Sequence, residues 1–358
     1  MTMSAPRARR RPVLTLGLAA AATLVALGAG EVVVRLARPA YLLGPDPVSN
    51  PFWRYDPELG WAHRPGQQGE FSRAEFSHPV SINAAGWRDR ERTIARVTGT
   101  ARIAVLGDSF AWGHGVADEL IFTRRLEPML NGVEVLNFGL SGSATDQQLL
   151  ILKHHALAYK PDLILVMLTR NDFTGNTSVT EGTYPKPMFV LDPGGALRLT
   201  NVPVPRVSAP ARAAQWLRRR SALYHFTASS LEGSDVRVPS AVQFEVTCAL
   251  LEAIRSEAAG AGAALAVALT PSSPHTYQDV VPPAEARRFG SVAQCGADMG
   301  IAVIDLVPAF RARGRTDEGG RFELFYIHDK HWNAAGHELA ARELARRLQE
   351  LRLLPVGA

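Results

Sequence analysis

From Arg102 to the C-terminus, short apolar runs alternate with longer amphipathic stretches, and this alternation limits the folds open to the chain. Each run ends at glycine or at polar residues, as buried parallel strands do. The runs cover residues 103–106, 133–136, 163–168, 264–268 and 301–304. Helices are predicted near 119–130, 146–159 (with Thr145 as N-cap), 242–259, 283–299 and 334–351. The pattern predicts an α/β fold with a parallel sheet covered by helices on both faces. Such a fold binds its ligand beyond the carboxyl ends of the strands.

The N-terminus predicts a membrane span. Four arginines within residues 7–11 precede an uncharged run at 12–30, and nineteen helical residues extend roughly 28 Å, close to the thickness of the hydrocarbon core. The arginines favour a cytoplasmic start and export of the rest. A signal peptide cleaved near 28–30 is the alternative, but the run is long for one, so an uncleaved anchor at 1–38 is preferred. Much of the net charge of +5 lies in this cluster, so nucleic acid is not an expected partner.

Two segments interrupt the α/β pattern. Residues 39–100 are rich in proline, glycine and aromatic residues, which predicts a small β-rich lead-in packed on the domain at 101–358. Residues 173–240 are interpreted as an insertion with a short helix near 210–219. Both a lid near the site and a surface excursion without a role in the chemistry are open for this insertion. Cys248 and Cys295 form either a disulfide or two buried thiols, and their spacing does not decide between these.

Polar residues follow the predicted strands at loops that should share one edge of the sheet. Ser109 stands on a strand-to-helix turn, where a hydroxyl is exposed for attack. A backbone N–H at Gly142 can approach a ligand closely, and the amide of Asn171 can donate to an oxyanion. Before the last helix, His331 can act as a general base oriented by Asp329. Each residue alone is equally well explained as a cap or a turn, but together they are the groups that acyl transfer requires.

In their order along the chain, these motifs resemble the four signatures of the SGNH (GDSL) hydrolase superfamily. The matching motifs are Gly107-Asp108-Ser109, Gly142, Asn171-Asp172 and Asp329 with His331. The resemblance covers about 102–350, and the lead-in, through 57–61 and 82–88, looks like the segment that precedes this domain in some membrane-anchored bacterial members. It implies a flavodoxin-like three-layer α/β/α sandwich that hydrolyses esters of lipids or acetylated sugars without a metal or organic cofactor.

The resemblance also implies a role for each matching residue. Ser109 becomes the nucleophile, His331 the base and Asp329 its orienter. The oxyanion hole is then formed by the backbone N–H groups of Ser109 and Gly142 together with the side chain of Asn171.

Two positions depart from the family's pattern. The third motif usually has glycine two residues before its asparagine, but this chain has Thr169, which we expect to narrow the pocket. The fourth motif usually places aspartate three residues before its histidine, where this chain has His328. Asp329 lies two residues before His331, a spacing seen in relatives that act on O-acetylated polysaccharides.

We therefore expect a membrane-anchored serine ester hydrolase whose domain lies outside the cytoplasm and whose substrate is an acetylated glycan or a lipid ester. One alternative is an O-acetyltransferase that passes the acyl group to a polysaccharide hydroxyl. The spacing of Asp329 and His331, and Trp332 beside them, favour this alternative. A second alternative is a non-catalytic envelope-binding module, against which the presence of a candidate for every catalytic role argues.

Overall fold

The computed structural model describes residues 10–37, 51–73, 75–231, 238–278, 281, 283–314 and 323–354. Residues 1–9 of the predicted cytoplasmic tip, Arg38 of the anchor and 39–50 of the lead-in lie outside these ranges. The α-helices are α1 (Arg10–Ala37), α2 (Ser109–Trp112), α3 (Phe122–Leu126), α4 (Thr145–His154), α5 (Asp172–Gly175), α6 (Ala209–Arg220), α7 (Ala222–Leu231), α8 (Ser240–Gly260), α9 (Ser273–Tyr277), α10 (Pro283–Asp298), α11 (Val307–Gly314) and α12 (Ala334–Glu350). The strands are β1 (Trp53–Asp56), β2 (Gly60–His63), β3 (Gln68–Ser72), β4 (Ser77–Ser81), β5 (Ala101–Gly107), β6 (Val133–Gly139), β7 (Leu163–Leu168), β8 (Thr180–Glu181), β9 (Tyr184–Pro185), β10 (Met188–Leu191), β11 (Leu197–Thr200), β12 (Ala264–Leu269) and β13 (Ala302–Asp305).

Five parallel strands form the central sheet in the order β6-β5-β7-β12-β13. When these five strands are renumbered 1 to 5 along the chain, their order in the sheet is 2-1-3-4-5. This is the strand order of flavodoxin-like folds. The predicted α/β class is therefore confirmed. All five strands end at the same edge, so the loops that follow β5, β6, β7 and β12 lie side by side.

Two apolar layers hold helices on opposite faces of the sheet. Successive side chains of a strand point to opposite faces, so Ile103 and Val105 belong to one layer, whereas Ala104 and Leu106 belong to the other. The first layer packs on α3, α11 and α12, and the second on α4, α8 and α10. Every residue of β5 and β7 is buried, which explains the continuous apolar runs at 103–106 and 163–168.

Two predicted helices differ from the structure. The helix expected near 119–130 is a short α3 between two 3₁₀ turns, Asp118–Leu120 and Glu127–Met129. Ile121 is extended and fully buried, which interrupts the helix at its start. In α4 the cap position is Ala144, whose backbone is extended, and Thr145 is instead the first helical residue. The Thr145 hydroxyl donates to Asp172 at 2.9 Å.

The lead-in forms two antiparallel hairpins, β1-β2 and β3-β4. Their aromatic side chains pack on Trp112 of α2, with ring centroids 5.1 Å away for Trp53 and 5.2 Å for Phe71. The buried guanidinium of Arg88 stacks on the same indole and donates to the carbonyl of Gly113 at 2.7 Å. The lead-in therefore supports the segment that follows Ser109.

The chain forms two compact units that divide the predicted insertion at Ser208. The larger unit contains the sheet and residues up to Val207, where the buried ammonium of Lys186 pairs with Asp146 at the start of α4. The smaller unit contains α1, α6 and α7. In α1, residues Leu14–Ala37 are long and apolar enough to cross a membrane, with a mean hydropathy of 1.9.

Cys248 of α8 and Cys295 of α10 are joined in a disulfide. This pairing decides the question that their spacing left open. Both helices cover the same face of the sheet, so the bond links two neighbours within one layer.

Candidate active site

Ser109 is the first residue of α2, directly beyond the end of β5. The side chain of Asp108 caps this helix by accepting from the backbone N–H of Phe110 at 2.9 Å. A Cβ atom at Gly107 would lie 2.8 Å from that of Ala111, so only glycine allows the strand to turn this tightly into the helix. The turn holds the Ser109 hydroxyl, half-buried, at the carboxyl edge of the sheet.

A continuous chain of hydrogen bonds joins Ser109, His331 and Asp329. Nδ1 of His331 lies 2.6 Å from Oδ1 of Asp329, and Nε2 lies 2.8 Å from Oγ of Ser109. Because a carboxylate faces Nδ1, the ring proton belongs there, which leaves Nε2 to accept from the hydroxyl. This arrangement can remove a proton from Ser109 and stabilise the imidazolium that results.

The loop that carries Asp329 and His331 is fixed on both sides. On one side, Asn333 caps α12, and the fully buried Trp332 donates from its indole to the carbonyl of Pro271 at 3.2 Å. On the other side, the Glu75 carboxylate of the lead-in accepts from the backbone N–H groups of Ile327, His328 and Asp329 at 2.6–2.8 Å.

Asp329 is shared between two imidazoles. Its second oxygen lies 3.2 Å from Nε2 of His114, whose ring stacks on that of His331 with centroids 4.0 Å apart. Burial, reinforced by the neighbouring His331, lowers the pKa of His114 to about 3, so this ring is neutral at physiological pH and donates a single N–H. Burial alone would raise the pKa of Asp329, but hydrogen bonds from His114 and His331 outweigh it and lower that pKa.

The same three side chains are a possible metal-ligand group. Ligand atoms of His114, Asp329 and His331 all lie within 4.8 Å of one another. Their mutual hydrogen bonds already account for this proximity, since Asp329 faces an N–H group of each ring.

Asn171 belongs to a buried polar network after β7. Its side-chain amide donates to Oδ2 of Asp108 at 3.0 Å, which leaves one N–H free to face a ligand. The Thr169 hydroxyl contacts Asn171 and lies 3.0 Å from Asp108 and 2.9 Å from Asp172. Burial and the nearby Asp108 carboxylate raise the pKa of Asp172 to about 7, and burial also raises that of Asp108. Thr169 therefore links the two carboxyl groups at the position where the family has glycine.

Gly142 lies on the turn after β6, at a positive φ of 80° that favours glycine. A Cβ atom there would lie 3.5 Å from both Glu181 and Trp61. The turn is tied to the end of β5, because the N–H of Leu140 donates to the carbonyl of Gly107 at 2.9 Å. Gly142 is not among the described residues that line the cavity at Ser109.

A cavity of about 310 Å³ opens at the Ser109 hydroxyl. Residues from the loops after β5, β7 and β12 and from the segment before α12 line it, and most have small or polar side chains. The described lining residues are Asp108, Ser109, Phe110, Thr169, Arg170, Asn171, Thr270, Ser272, Ser273, Pro274, Asp329, Lys330 and His331. None of them comes from the predicted insertion at 173–240.

A second serine–histidine pair lies at the same cavity. Oγ of Ser272 is 2.9 Å from Nδ1 of His275, and Nε2 of that ring is 3.1 Å from Glu285. The backbone N–H of Ser272 already donates to the same Nδ1 atom at 3.1 Å, as in a helix cap. Burial lowers the pKa of His275, which makes this imidazole the poorer base. Ser109 is therefore the better placed nucleophile of the two.

Sequence patterns did not reveal His114 and Glu75. His114 lies between Gly113 and Gly115, which adopt positive φ values of 88° and 95°. This turn brings the His114 ring against that of His331. A histidine between two glycines, five residues after the candidate nucleophile, was the available signal. Glu75 gave no signal, since its contacts are with backbone N–H groups more than 250 residues away.

Comparison with known proteins identifies one family. The model of the GDSL-like lipase/acylhydrolase family matches residues 105–339, which is more than half of the chain. No curated protein matches.

The chain also matches several solved structures at low sequence identity. An acetylxylan esterase from Geobacillus stearothermophilus is 14% identical, with a TM-score of 0.44, over 70% of this chain and 96% of that one. A member of the lipolytic protein G-D-S-L family from Veillonella parvula is 14% identical, with a TM-score of 0.42, over 69% and 97%. An alpha/beta hydrolase enzyme from the metagenome of Lake Arreo, Spain, is 12% identical, with a TM-score of 0.44, over 72% and 98%.

Proposed function

Because the chain belongs to the GDSL-like lipase/acylhydrolase family and is thus a carboxylic ester hydrolase, we propose that Ser109 is its nucleophile, His331 its general base and Asp329 the orienter of that base. The observation that carries this proposal is the pair of contacts at His331, 2.8 Å to the Ser109 hydroxyl and 2.6 Å to Asp329.

The reaction has two steps. Oγ of Ser109 attacks the ester carbonyl while Nε2 of His331 takes the hydroxyl proton, and the imidazolium then protonates the departing alcohol. Water, deprotonated by His331, attacks the acyl-enzyme and releases the acid and free Ser109. The backbone N–H of Ser109 and the amide of Asn171, which both line the cavity, hold the oxyanion in both steps. The backbone N–H of Gly142, on the turn tied to the end of β5 outside that lining, is the third proposed donor.

Two measurements test this assignment directly. The full chain in detergent is expected to hydrolyse p-nitrophenyl acetate and to be inactivated by an organophosphonate. Peptide mass analysis should then find the phosphonate on Ser109. A modified Ser272 with an unmodified Ser109 would contradict the proposal.

The cavity favours a short acyl group, since the polar side chains of Thr270, Ser272 and Ser273 line it beside Ser109 and would be poor partners for a long hydrocarbon chain. Acetylated glycans are therefore the preferred substrate class, with lipid esters second. The burial of Trp332 removes one reason for the acetyltransferase alternative, because this indole cannot stack on a sugar. With an acetyl donor and an oligosaccharide present, release of acetate should outpace transfer to the sugar.

We also propose that α1 anchors the enzyme with its domain outside the cytoplasm. The apolar length of Leu14–Ala37 and the arginines before it support this orientation. The Cys248–Cys295 disulfide supports it as well, since such bonds persist in oxidising compartments.

Replacing Asn171 with alanine is expected to lower kcat by about 10²-fold or more, because one oxyanion donor is typically worth about 2.7–4 kcal/mol in the transition state. Hydrolysis of p-nitrophenyl acetate measures the effect, and an unchanged unfolding midpoint shows that the fold is intact. Little change in kcat would remove Asn171 from the mechanism.

His114 is proposed as a positioning residue that acts through Asp329. Replacing it with phenylalanine keeps a ring beside His331 but removes the N–H donor 3.2 Å from the carboxylate. A hydrogen bond to a charged group contributes about 1.5–3 kcal/mol, so kcat should fall by roughly 10- to 100-fold. The acidic limb of the kcat/KM profile should move to higher pH, because the Asp329 carboxylate then interacts with the His331 ring alone.

The His114→Gln variant is the matched control, since its side-chain amide can restore the donor. We expect it to recover much of the lost activity and the wild-type pH profile. When Asp329 is already replaced by asparagine, adding His114→Phe should lower kcat little further. Additive losses in that double variant would show that His114 does not act through Asp329.

A further inference from the structure

Glu31, which directly follows the long uncharged stretch of α1, is fully engaged by the start of α7. Its carboxylate accepts from the hydroxyl of Ser221 at 2.7 Å and from the backbone N–H groups of Ala222 and Leu223 at 2.9 and 3.0 Å. Arg35, one turn further along α1, pairs with the same carboxylate at 2.6 Å. A charged side chain on a membrane helix is costly unless it is paired, and these donors supply the pairing.

Other contacts join the same turns of α1 to the two helices. Nη2 of Arg35 donates to the carbonyl of Arg220, the last residue of α6, at 3.0 Å. A Cβ atom at Gly30 would lie 3.2 Å from the Leu223 side chain, so glycine allows a close approach. The end of α6 and the start of α7 therefore contact α1 at Gly30–Arg35.

This meeting point lies where α1 should leave the hydrocarbon. The uncharged stretch from Leu14 to Gly30 extends roughly 25 Å at about 1.5 Å per residue, close to the ~30 Å hydrocarbon core. Its large side chains are exposed, with Leu16 at 69% and Leu24 at 70%. If this uncharged stretch fills the hydrocarbon core, the contacts at Glu31 fall at the depth of the lipid headgroups.

The two attached helices have the composition of an interfacial element. Between Ala209 and Leu231 they contain no aspartate or glutamate, whereas α6 carries arginines at 212 and 218–220. Trp216 is 50% and Leu217 39% exposed, and the Arg220 guanidinium lies 4.7 Å above the Trp216 ring. Arginine beside exposed tryptophan on an amphipathic helix is typical of elements that lie in the membrane interface.

We propose that α6 and α7 dock on the outer surface of the bilayer, with Trp216 and Leu217 in the interface and with Arg212 and Arg220 on anionic phospholipid headgroups. This proposal rests on the proposed membrane anchor and is independent of the ester chemistry. It requires that α1 stays in the mature protein, since α1 supplies the acceptor for the start of α7.

Trp216 provides the test, because the other five tryptophans are at most 7% exposed. The full chain is reconstituted in vesicles of phosphatidylcholine with about one third phosphatidylglycerol, a fraction that gives a negative surface. The emission of Trp216 is obtained by subtracting the fluorescence of the Trp216→Phe variant from that of the wild type. Brominated phosphatidylcholine should quench most of this emission, and aqueous acrylamide should quench little. The reverse pattern, or a mature protein that lacks α1 by mass, would overturn the proposal.

Variants separate the contact with α1 from the contact with lipid. Glu31→Ala should expose Trp216 to acrylamide while the protein stays in the membrane and hydrolyses p-nitrophenyl acetate at the wild-type rate. Arg212→Glu with Arg220→Glu should weaken quenching by brominated lipid, and the matched charge reversal Arg198→Glu on β11 should not. Equal quenching in vesicles of phosphatidylcholine alone would overturn the anionic headgroup as the ligand. Because activity is measured separately, loss of docking is distinguishable from failure of the proposed chemistry.

Discussion

Replacing Ser109 with alanine is expected to lower kcat for p-nitrophenyl acetate by about 10⁶-fold, the loss typical of a missing serine nucleophile. Without the hydroxyl, no acyl-enzyme forms, and the oxyanion donors can assist only a direct attack by water. Covalent labelling by an organophosphonate should disappear in the same variant. The unfolding midpoint should change little, since the Ser109 side chain is small and only half-buried.

Ser272→Ala is the matched control for this prediction. It removes another hydroxyl from the same cavity, and that hydroxyl also lies against an imidazole, 2.9 Å from Nδ1 of His275. We expect this variant to keep most of the activity and all of the labelling. If Ser272→Ala were inactive and Ser109→Ala active, the nucleophile would belong to the His275 pair and the role of His331 would be lost.

The sequence predicts the sheet well where burial alone decides the structure. Residues 163–168 of β7 are buried on both faces, so a continuous apolar run marks the strand at both ends. In β5 the charged Arg102 hides the true start of the strand. Its guanidinium is buried because it pairs with Glu134 at 2.7 Å and donates to the carbonyl of Tyr159 at 2.8 Å. Partners so distant along the chain leave no local pattern.

The candidate site, too, is predictable only where local sequence patterns position its residues. The residues Ser109, Asn171 and His331 each follow or precede a predictable element, so their gathering at one edge of the sheet follows from strand order. His114 depends on the backbone of two glycines, and Glu75 depends on how the lead-in folds against the 327–329 loop. The pairing of Glu31 with α7 joins residues about 190 apart in sequence. Local propensity cannot predict such contacts, which require the tertiary structure.

Replacing Asp329 with asparagine is the second large effect, an expected loss of about 10⁴-fold in kcat. An amide in this position can donate to Nδ1 of His331, which would move the ring proton to Nε2 and abolish the acceptor for Ser109. The variant also removes the negative charge that stabilises the imidazolium. Since the hydrogen bonds from His114 and His331 lower the pKa of Asp329, the wild-type carboxylate stays charged throughout the active range. The fall of activity at low pH should therefore report protonation of an imidazole.

His328→Ala is the control that decides which residue orients the base, because His328 occupies the place where relatives carry their aspartate. Its side chain is exposed, and its backbone N–H, which donates to Glu75 at 2.8 Å, survives the substitution. We expect His328→Ala to keep nearly the wild-type kcat while Asp329→Asn loses most of it. If Asp329→Asn retained activity, the 2.6 Å contact with His331 would only shape the loop, and this enzyme would work with a serine and a histidine alone.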